Sequence, residues 1–337
     1  MSRATLLDVA RAAGVDPSTA SRILRGESGQ RVREETRARI LRAAADLDYR
    51  PNPIARGLRS ARTYSLGILV PQLDNPVFAA AILGAEAAAE ARGYSLLISH
   101  RRPGVSGAGH YRRLSEANRV DGLLVATLDE DRALDAELDA VTIPHVVLNQ
   151  FRPSAPVCVV MDTRAAARIA LDHLLSLGHR RIAHLAGRTG GFNAAQRLAG
   201  YEDALRAAGL SLEPGLVATA GYTAEGGAEA MRAILARGRP PSAVFAATLI
   251  SAAGALGVLH EAGLRVPEDV SIISVHDAPL ARLLYPPLTT VRLPTERMGY
   301  LAAVALADLV EGRQPALVAP LPPDGLIERG STAPARS

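Results

Sequence analysis

Apolar positions follow two different rhythms along this chain. Over the first fifty residues they recur at helical spacing. Beyond residue 64 they fall into short runs separated by helical stretches. Thr5 to Leu24 reads TLLDVARAAGVDPSTASRIL, and Leu6, Val9, Ala10 and Ala13 make one apolar stripe that predicts a first helix. Thr5 suits its N-cap, Asp8 three positions on completes a capping-box-like pair, and Gly14 suits a left-handed C-cap. Asp16 can cap a second helix that Pro17 opens. Ala20, Ile23 and Leu24 form its inner side, leaving Ser18, Thr19, Ser21 and Arg22 outside. A third helix is expected over about Glu34 to Asp48, with Ile40, Ala44 and Leu47 closing a small core and Arg33 as a weak cap. Two short helices joined by a glycine-containing turn of three to four residues form a helix-turn-helix, whose second helix enters a major groove. Arg22 is the one long exposed donor on that helix. It suits bidentate contact with guanine, worth ~1–3 kcal/mol of discrimination, and a phosphate contact or a solvated charge is the alternative.

Tyr49 to Thr63 reads YRPNPIARGLRSART. Asn52 can cap and Pro53 can start two helical turns over Pro53 to Ser60. That is below the ~12–15 residues an isolated helix needs, and Gly57 weakens it by ~1 kcal/mol, so it is expected to order only when held. Arg56 and Arg59 suit phosphates and Ala55 allows close approach. Leu58 is either a core leucine or an apolar wedge between base steps of a kinked minor groove. No other large apolar residue follows Ile54 here, which favours the wedge.

The later runs predict strands at Ser65–Val70, Ser95–Ile98, Gly122–Val125, His145–Leu148, Val157–Val160, Arg181–Leu185, Val217–Ala220, Ala243–Ala246, Ser271–Val275 and Thr289–Arg292. Strands alternating with helices imply parallel sheets covered on both faces, and about ten strands suit two doubly wound units better than one. Ligands in such folds sit beyond the carboxyl ends of strands and between domains. The residues placed there are Gln72, Asp74 and Phe78; Asn149, Gln150 and Phe151; and Tyr222, Thr248 and His276–Asp277, with Arg197 heading a helix. Pro240 to His260 carries no charge over about a membrane-span length. Two prolines, Thr248, Ser251 and two glycines argue instead for a buried strand followed by a buried helix.

Composition sharpens this picture. The chain has 337 residues, 48% hydrophobic and 21% charged, which excludes a disordered or low-complexity protein. One cysteine, Cys158, excludes a disulfide framework and a cysteine-rich zinc site. The start has no apolar stretch suited to a signal peptide, so a cytoplasmic protein is expected, nucleoid-associated when on DNA. Residues 1–62 hold 13 arginines against 7 acids, +6, whereas the whole chain is +4. A basic N-terminal module on a near-neutral body points to nucleic acid, a solvated basic arm being the alternative.

These residues carry a family resemblance. TLLDVARAAGVDPSTASRIL, VREETRARILRAAADLDYRPNPIARGL, LGILVPQLDNPVFAAAILGAEAAAEARGYSLLI, RVDGLLV, LGHRRIAHLAG, QRLAGYEDAL, GLRVPEDVSII, PPLTTVRLP and LIERGST, spread over nearly the whole chain, resemble LacI-type (lac repressor / galactose repressor) bacterial transcription regulators. The resemblance implies an all-α helix-turn-helix domain at 1–50, a hinge helix at 51–63 and an α/β core at 64–330. That core would be two doubly wound, periplasmic-binding-protein-like subdomains, about 64–160 plus 292–330 and about 161–291. It implies a homodimer on palindromic double-stranded operator DNA, with a small-molecule effector in the cleft. DNA contacts are expected from Thr5, Pro17, Ser18, Thr19, Ser21, Arg22, Asn52, Ala55, Arg56, Leu58 and Arg59. By match to the motif, Pro17, Ser18 and Arg22 fall on base-reading positions and Leu58 on the intercalating leucine.

Asp74, Phe78, Asn149, Gln150, Arg197, Tyr222, Thr248 and His276 fall on effector positions, with departures. Asn149-Gln150 replaces a usual Asp-Arg or Asn-Arg, Thr248-Leu249 a usual Asn-Asp, His276 the first Asp of a pair, and Leu293 a common Gln. Sugar sites need acids or amides for paired hydroxyls, since an unpaired buried hydroxyl costs ~1–3 kcal/mol. A cleft that has lost carboxylates but keeps Arg197 suits an anionic or less hydroxylated effector, such as a small organic acid. A neutral sugar or polyol held by Asn149, Thr248 and Arg197 is the alternative.

No G-x-S-x-G elbow, H-E-x-x-H helix or phosphate-binding loop of the Walker type occurs, and Gly107-Ala108-Gly109 is a lone G-x-G that reads as a loop. His173, His179 and His184, spaced six and five apart, do not share a helix face, so no metal and no cofactor are expected. A solute-binding protein would need an export signal and no DNA module, and a sugar-processing enzyme would need an acid–base pair or nucleophile. Neither fits, so no enzymatic activity is expected. The ending LIERGSTAPARS shows no apolar heptads, so a dimer is expected and not a coiled-coil tetramer.

Overall fold

The computed structural model describes residues 4–24, 32–49, 62–73, 75–100, 119–126, 138, 141–153 and 155–336. Two compact units divide the chain, 1–63 and 64–337.

In the first unit, α1 spans Leu6–Ala13, α2 Pro17–Leu24 and α3 Glu34–Asp46. Thr5 Oγ1 accepts from the Asp8 N–H while the Asp8 carboxylate accepts from the Thr5 N–H at 2.9 Å, which completes the capping box. Gly14 ends α1 at φ 62°, a conformation glycine adopts without a Cβ penalty. Asp16 Oδ1 accepts from the Ser18 N–H at 2.7 Å, and Arg33 makes no side-chain cap. Arg39 of α3 donates Nε–H to the Ala13 carbonyl at 3.0 Å, satisfying an acceptor at the end of α1. Val9, Ala10, Ala13, Ala20, Ile23, Ile40, Ala43 and Ala44 form the core. Leu47 does not close it. Helix α3 stops at Asp46, two residues before the expected end, and Leu47 is 38% exposed at its C-cap.

The second unit holds two sheets. The first has the order β2-β1-β3-β4-β5, from β1 Ser65–Val70, β2 Ser95–His100, β3 Gly122–Ala126, β4 His145–Leu148 and β5 Cys158–Val159. All its neighbours pair in parallel. The second has β6 Ile182–Ala186, β7 Val217–Thr219, β8 Ala243–Ala246, β9 Ser271–Val275, β10 Thr289–Arg292 and β11 Gly325–Ile327, in the order β11-β10-β9-β8-β6-β7. Helices follow the strands: α4 Pro76–Ala91, α5 Thr163–Ser176, α6 Phe192–Ala207, α7 Ala224–Leu235, α8 Leu249–Glu261, α9 Leu280–Leu283 and α10 Thr295–Val310. The uncharged stretch from Pro240 folds as β8 and α8, and among the described residues no helix is long and apolar enough to cross a membrane.

Helices α4 and α10 interlock through glycine. A Cβ on Gly84 would lie 1.9 Å from the Glu296 carbonyl oxygen, and one on Gly299 would lie 1.9 Å from that of Ala81. Among the described residues the chain crosses between the sheets three times, near Met161, near Leu293 and near Leu321. Met161 bridges Leu321 in parallel, and the Asp162 N–H donates to the Leu321 carbonyl at 2.8 Å. Leu293 and Pro294 lead from β10 into α10.

Residues 292–330 do not all return to the first subdomain. Helix α10 packs on α4, but β11 pairs antiparallel with β10, Val291 opposite Leu326. Ser331 then donates Oγ–H to the Ile272 carbonyl at 2.6 Å. The return covers what would otherwise be an open sheet edge. Three residues carry no period that could have announced it.

Candidate functional site

Two sets of polar groups stand out, one in each unit. On α2, Ala20 and Ile23 are buried while Ser18 and Arg22 are exposed four positions apart, hence on one face. Pro17, Thr19 and Ser21 are half-buried beside them. Asp16, one residue before the helix, is held below the usual carboxylate range by hydrogen bonds from Ser18. Thr5 is exposed, but its hydroxyl also donates to Asp8 at 2.7 Å, so it serves α1 first. Asn52, Ala55, Arg56, Leu58 and Arg59 lie outside the described residues.

In the second unit a cavity of 670 Å³ lies between the subdomains. The starts of three helices line it: the cap Asn75 with Pro76 and Val77 of α4; the cap Thr248 with Leu249 and Ile250 of α8; and Thr295, Glu296 and Arg297 of α10. Thr248 lines it as the N-cap of α8, its Oγ1 2.9 Å from Ser251 Oγ in a reciprocal cap. The expected hydroxyl binder is therefore already engaged.

His276 lines the same cavity, buried, at φ 72°. That left-handed region is uncommon for a residue other than glycine, and histidine is among those that enter it most readily. Its Nε2 lies 3.0 Å from Nη2 of Arg197. A guanidinium only donates, so Nε2 accepts and the ring proton sits on Nδ1. Among the described residues Nδ1 has no hydrogen-bond partner. Burial and the neighbouring Arg197 charge hold the imidazole well below its ordinary pKa, so it is neutral. Arg197 is 2% exposed and lies in the second turn of α6, which begins at Phe192, so it does not head the helix as expected. Below it, His184 is fully buried, with Nδ1 3.1 Å from the Phe245 carbonyl and its ring stacked on Phe245 and Tyr201. Burial drives its pKa down to about 4.

Asn149, at φ 59°, is buried, and its side-chain oxygen has no partner among the described residues. Asn193 of α6 donates Nδ2–H to the Asn149 carbonyl at 2.5 Å and lies 3.3 Å from Thr163 Oγ1. Asn193 thus ties the second subdomain to the loop after β4. Gln150 is buried beside it, and Phe151 is 56% exposed with its ring 6.3 Å from that of Phe192. Phe78 lies in the hydrophobic core, and Tyr222 packs its hydroxyl where a Cβ on Gly187 would be. Asp74 lies outside the described residues. Asp277 faces the cavity already committed. Burial pushes its pKa up, but hydrogen bonds from Thr290, Arg329 and Arg292, the last two at 2.6 and 3.1 Å, hold it below the usual range.

Thr248 and His276 thus meet at the cavity, Arg197 backs His276, and Phe78 and Tyr222 are packed away. Sequence reasoning missed Asn193 and the starts of α4 and α10. The pairs Asn75-Pro76 and Pro294-Thr295 were legible as helix starts, but their convergence was not. Among the described residues no cluster of histidine, cysteine or acids could hold a metal ion.

The chain is 35% identical over 321 residues to the HTH-type transcriptional regulator CelR of Thermobifida fusca, covering 92% of this chain and 93% of that protein. The chain belongs to the LacI family. The model of bacterial regulatory proteins, lacI family, matches residues 5–52, and that of the periplasmic binding protein-like domain matches 171–332. The repressor CytR of Escherichia coli is 33% identical over 338 residues, covering 98% and 96% of the two chains. Among solved structures, the Lac repressor dimer bound to operator and the anti-inducer ONPF superposes with a TM-score of 0.83 at 28% identity, over 98% of this chain and 100% of that one. A CelR–cellobiose complex superposes at 0.73 with 33% identity and the same coverage. This LacI-family protein is an effector-controlled transcriptional repressor and not an enzyme. As a DNA-binding bacterial regulator it works in the cytoplasm.

Proposed function

We propose that two copies of this chain grip a palindromic operator, each α2 reading one half-site, and that an effector in the cleft sets the strength of the grip. The observation that carries it is the outward pair Ser18 and Arg22 on a helix fixed by the Asp16 cap and the buried Ala20 and Ile23. Residues 1–50 form the reading domain and 51–63 the hinge, with Asn52, Ala55, Arg56 and Arg59 along the backbone and Leu58 wedged in the minor groove. Two hinges become helical only when the two cores hold them together. Effector in the cleft favours one angle between subdomains, and a coupling of ~1–3 kcal/mol changes operator affinity ~5–150-fold. Bound to DNA, the protein is associated with the nucleoid. The Lac repressor dimer solved on its operator supports the twofold arrangement.

The effector is anionic or less hydroxylated than a hexose, held near Asn149, Gln150, Arg197, Thr248 and His276. The neutral-sugar alternative draws support from the cellobiose bound by CelR. Against it, the Thr248 hydroxyl is taken by Ser251 and the Asp277 carboxylate by Thr290, Arg329 and Arg292.

Selection of operators from random duplexes tests the DNA half. Arg22→Ala is expected to relax preference at one base pair of each half-site, at about 1–3 kcal/mol. A uniform loss across all sequences makes Arg22 a phosphate contact. Leu58→Ala is expected to weaken specific binding far more than non-specific binding, and equal losses count against the wedge.

A further inference from the structure

We infer that the rim of the cleft where α4, α8 and α10 begin seats an anionic group of the effector, a carboxylate or a phosphate, and that His276 selects for it. This deepens the effector reading above and rests on it. Three helices of 16, 13 and 16 residues present their first turns to one cavity. First-turn N–H groups have no acceptor within the helix, and the aligned peptide dipoles place positive potential there. Caps satisfy part of this demand at Asn75 and Thr248, whereas α10 starts at Pro294 without a side-chain cap.

The second observation is independent of the helices. His276 lines the cavity and is 5% exposed. Its Nε2 is turned to Arg197, which does not line the cavity. That leaves Nδ1–H as a buried donor with no partner among the described residues. A buried donor calls for an acceptor, and an anionic group of a ligand in the cleft would supply one.

An aspartate at this position would accept from ligand hydroxyls and repel an anion, whereas the imidazole donates. Of the cavity's carboxylates, Asp277 is neutralised by its arginine partners, and Glu296 and Asp324 are exposed to solvent and screened.

Calorimetric titration of the full-length protein with gluconate, glucose 6-phosphate, inorganic phosphate and neutral glucose tests the seat, with operator affinity measured alongside. At least one charged probe is expected to bind about tenfold or more tighter than glucose, and gluconate against the phosphates tells carboxylate from phosphate. His276→Asp is expected to erase that preference, and His276→Asn, which keeps an N–H donor, to retain part of it. Both replacements tolerate the left-handed backbone better than most residues. Preference for glucose in the native protein overturns the seat and leaves effector control standing. Equal losses for charged and neutral probes in His276→Asp overturn the role of His276. Failure of every probe to bind also overturns the seat. Binding of any probe without a change in operator affinity overturns effector control itself.

Discussion

Helix α2 draws its outward pair, Ser18 and Arg22, from five consecutive residues, whereas the cleft gathers Asn75, Thr248, His276 and Thr295 from four separate segments. The two regions also differ in support. The first unit is fixed by caps and a core built largely of alanines, with Ile40 its largest fully buried side chain. The second is fixed by two sheets, interlocked helices and three crossings between subdomains. A reading surface can stand on a small module because its partner, the duplex, brings the rest of the site. The second unit also holds two buried polar residues, His276 and Asn149, in left-handed backbone, which takes a stiff scaffold to sustain.

That contrast can be broken most forcefully at the α4–α10 crossing. Gly84→Val drives a side chain into the Glu296 carbonyl, and a loss of about 4 kcal/mol from the second unit is expected. Urea unfolding followed by circular dichroism measures it, and a change below about 1 kcal/mol contradicts the interlock.

Acid probes the same unit more gently. His184 has its folded pKa lowered to about 4 from an ordinary 6.5, so the unfolded chain takes up the proton first as pH falls. Stability is therefore full above pH 6.5 and is lost on the way down to about 4, by on the order of 2–3 kcal/mol. His276 adds in the same direction. The urea midpoint should fall across this window, and His184→Phe should flatten part of the fall. A midpoint unchanged by acid counts against both buried imidazoles.

The smallest effect belongs to the first unit. Thr5→Ala removes the α1 capping box and should cost about 1 kcal/mol, seen as weaker operator binding with the second unit's melting unchanged. A drop in the second unit's melting would mean that the two units unfold together.

Legibility in the sequence follows the same division. Thr5, Asp8, Gly14, Asp16 and Pro17 each act within a few residues, so caps and turns announce α1 and α2 directly. The runs at His145–Leu148, Ala243–Ala246 and Ser271–Val275 coincide with strands because buried parallel strands are near-continuous apolar runs. Strand β11 escaped because it is short and pairs with a distant edge. Thr248 was legible as a cleft residue but not as a cap already satisfied by Ser251, since its partner is known only once α8 is placed. His276 was legible as a departure, but the proton position needed Arg197 at 3.0 Å.

The most direct test of the whole account is the affinity of the purified full-length protein for duplexes recovered from a random pool, measured against random competitor with and without a panel of charged and neutral metabolites. A twofold-symmetric sequence is expected to bind at least about a thousandfold tighter than competitor, with at least one metabolite shifting that affinity about 5–150-fold. No preferred duplex under any salt or metabolite condition would contradict it.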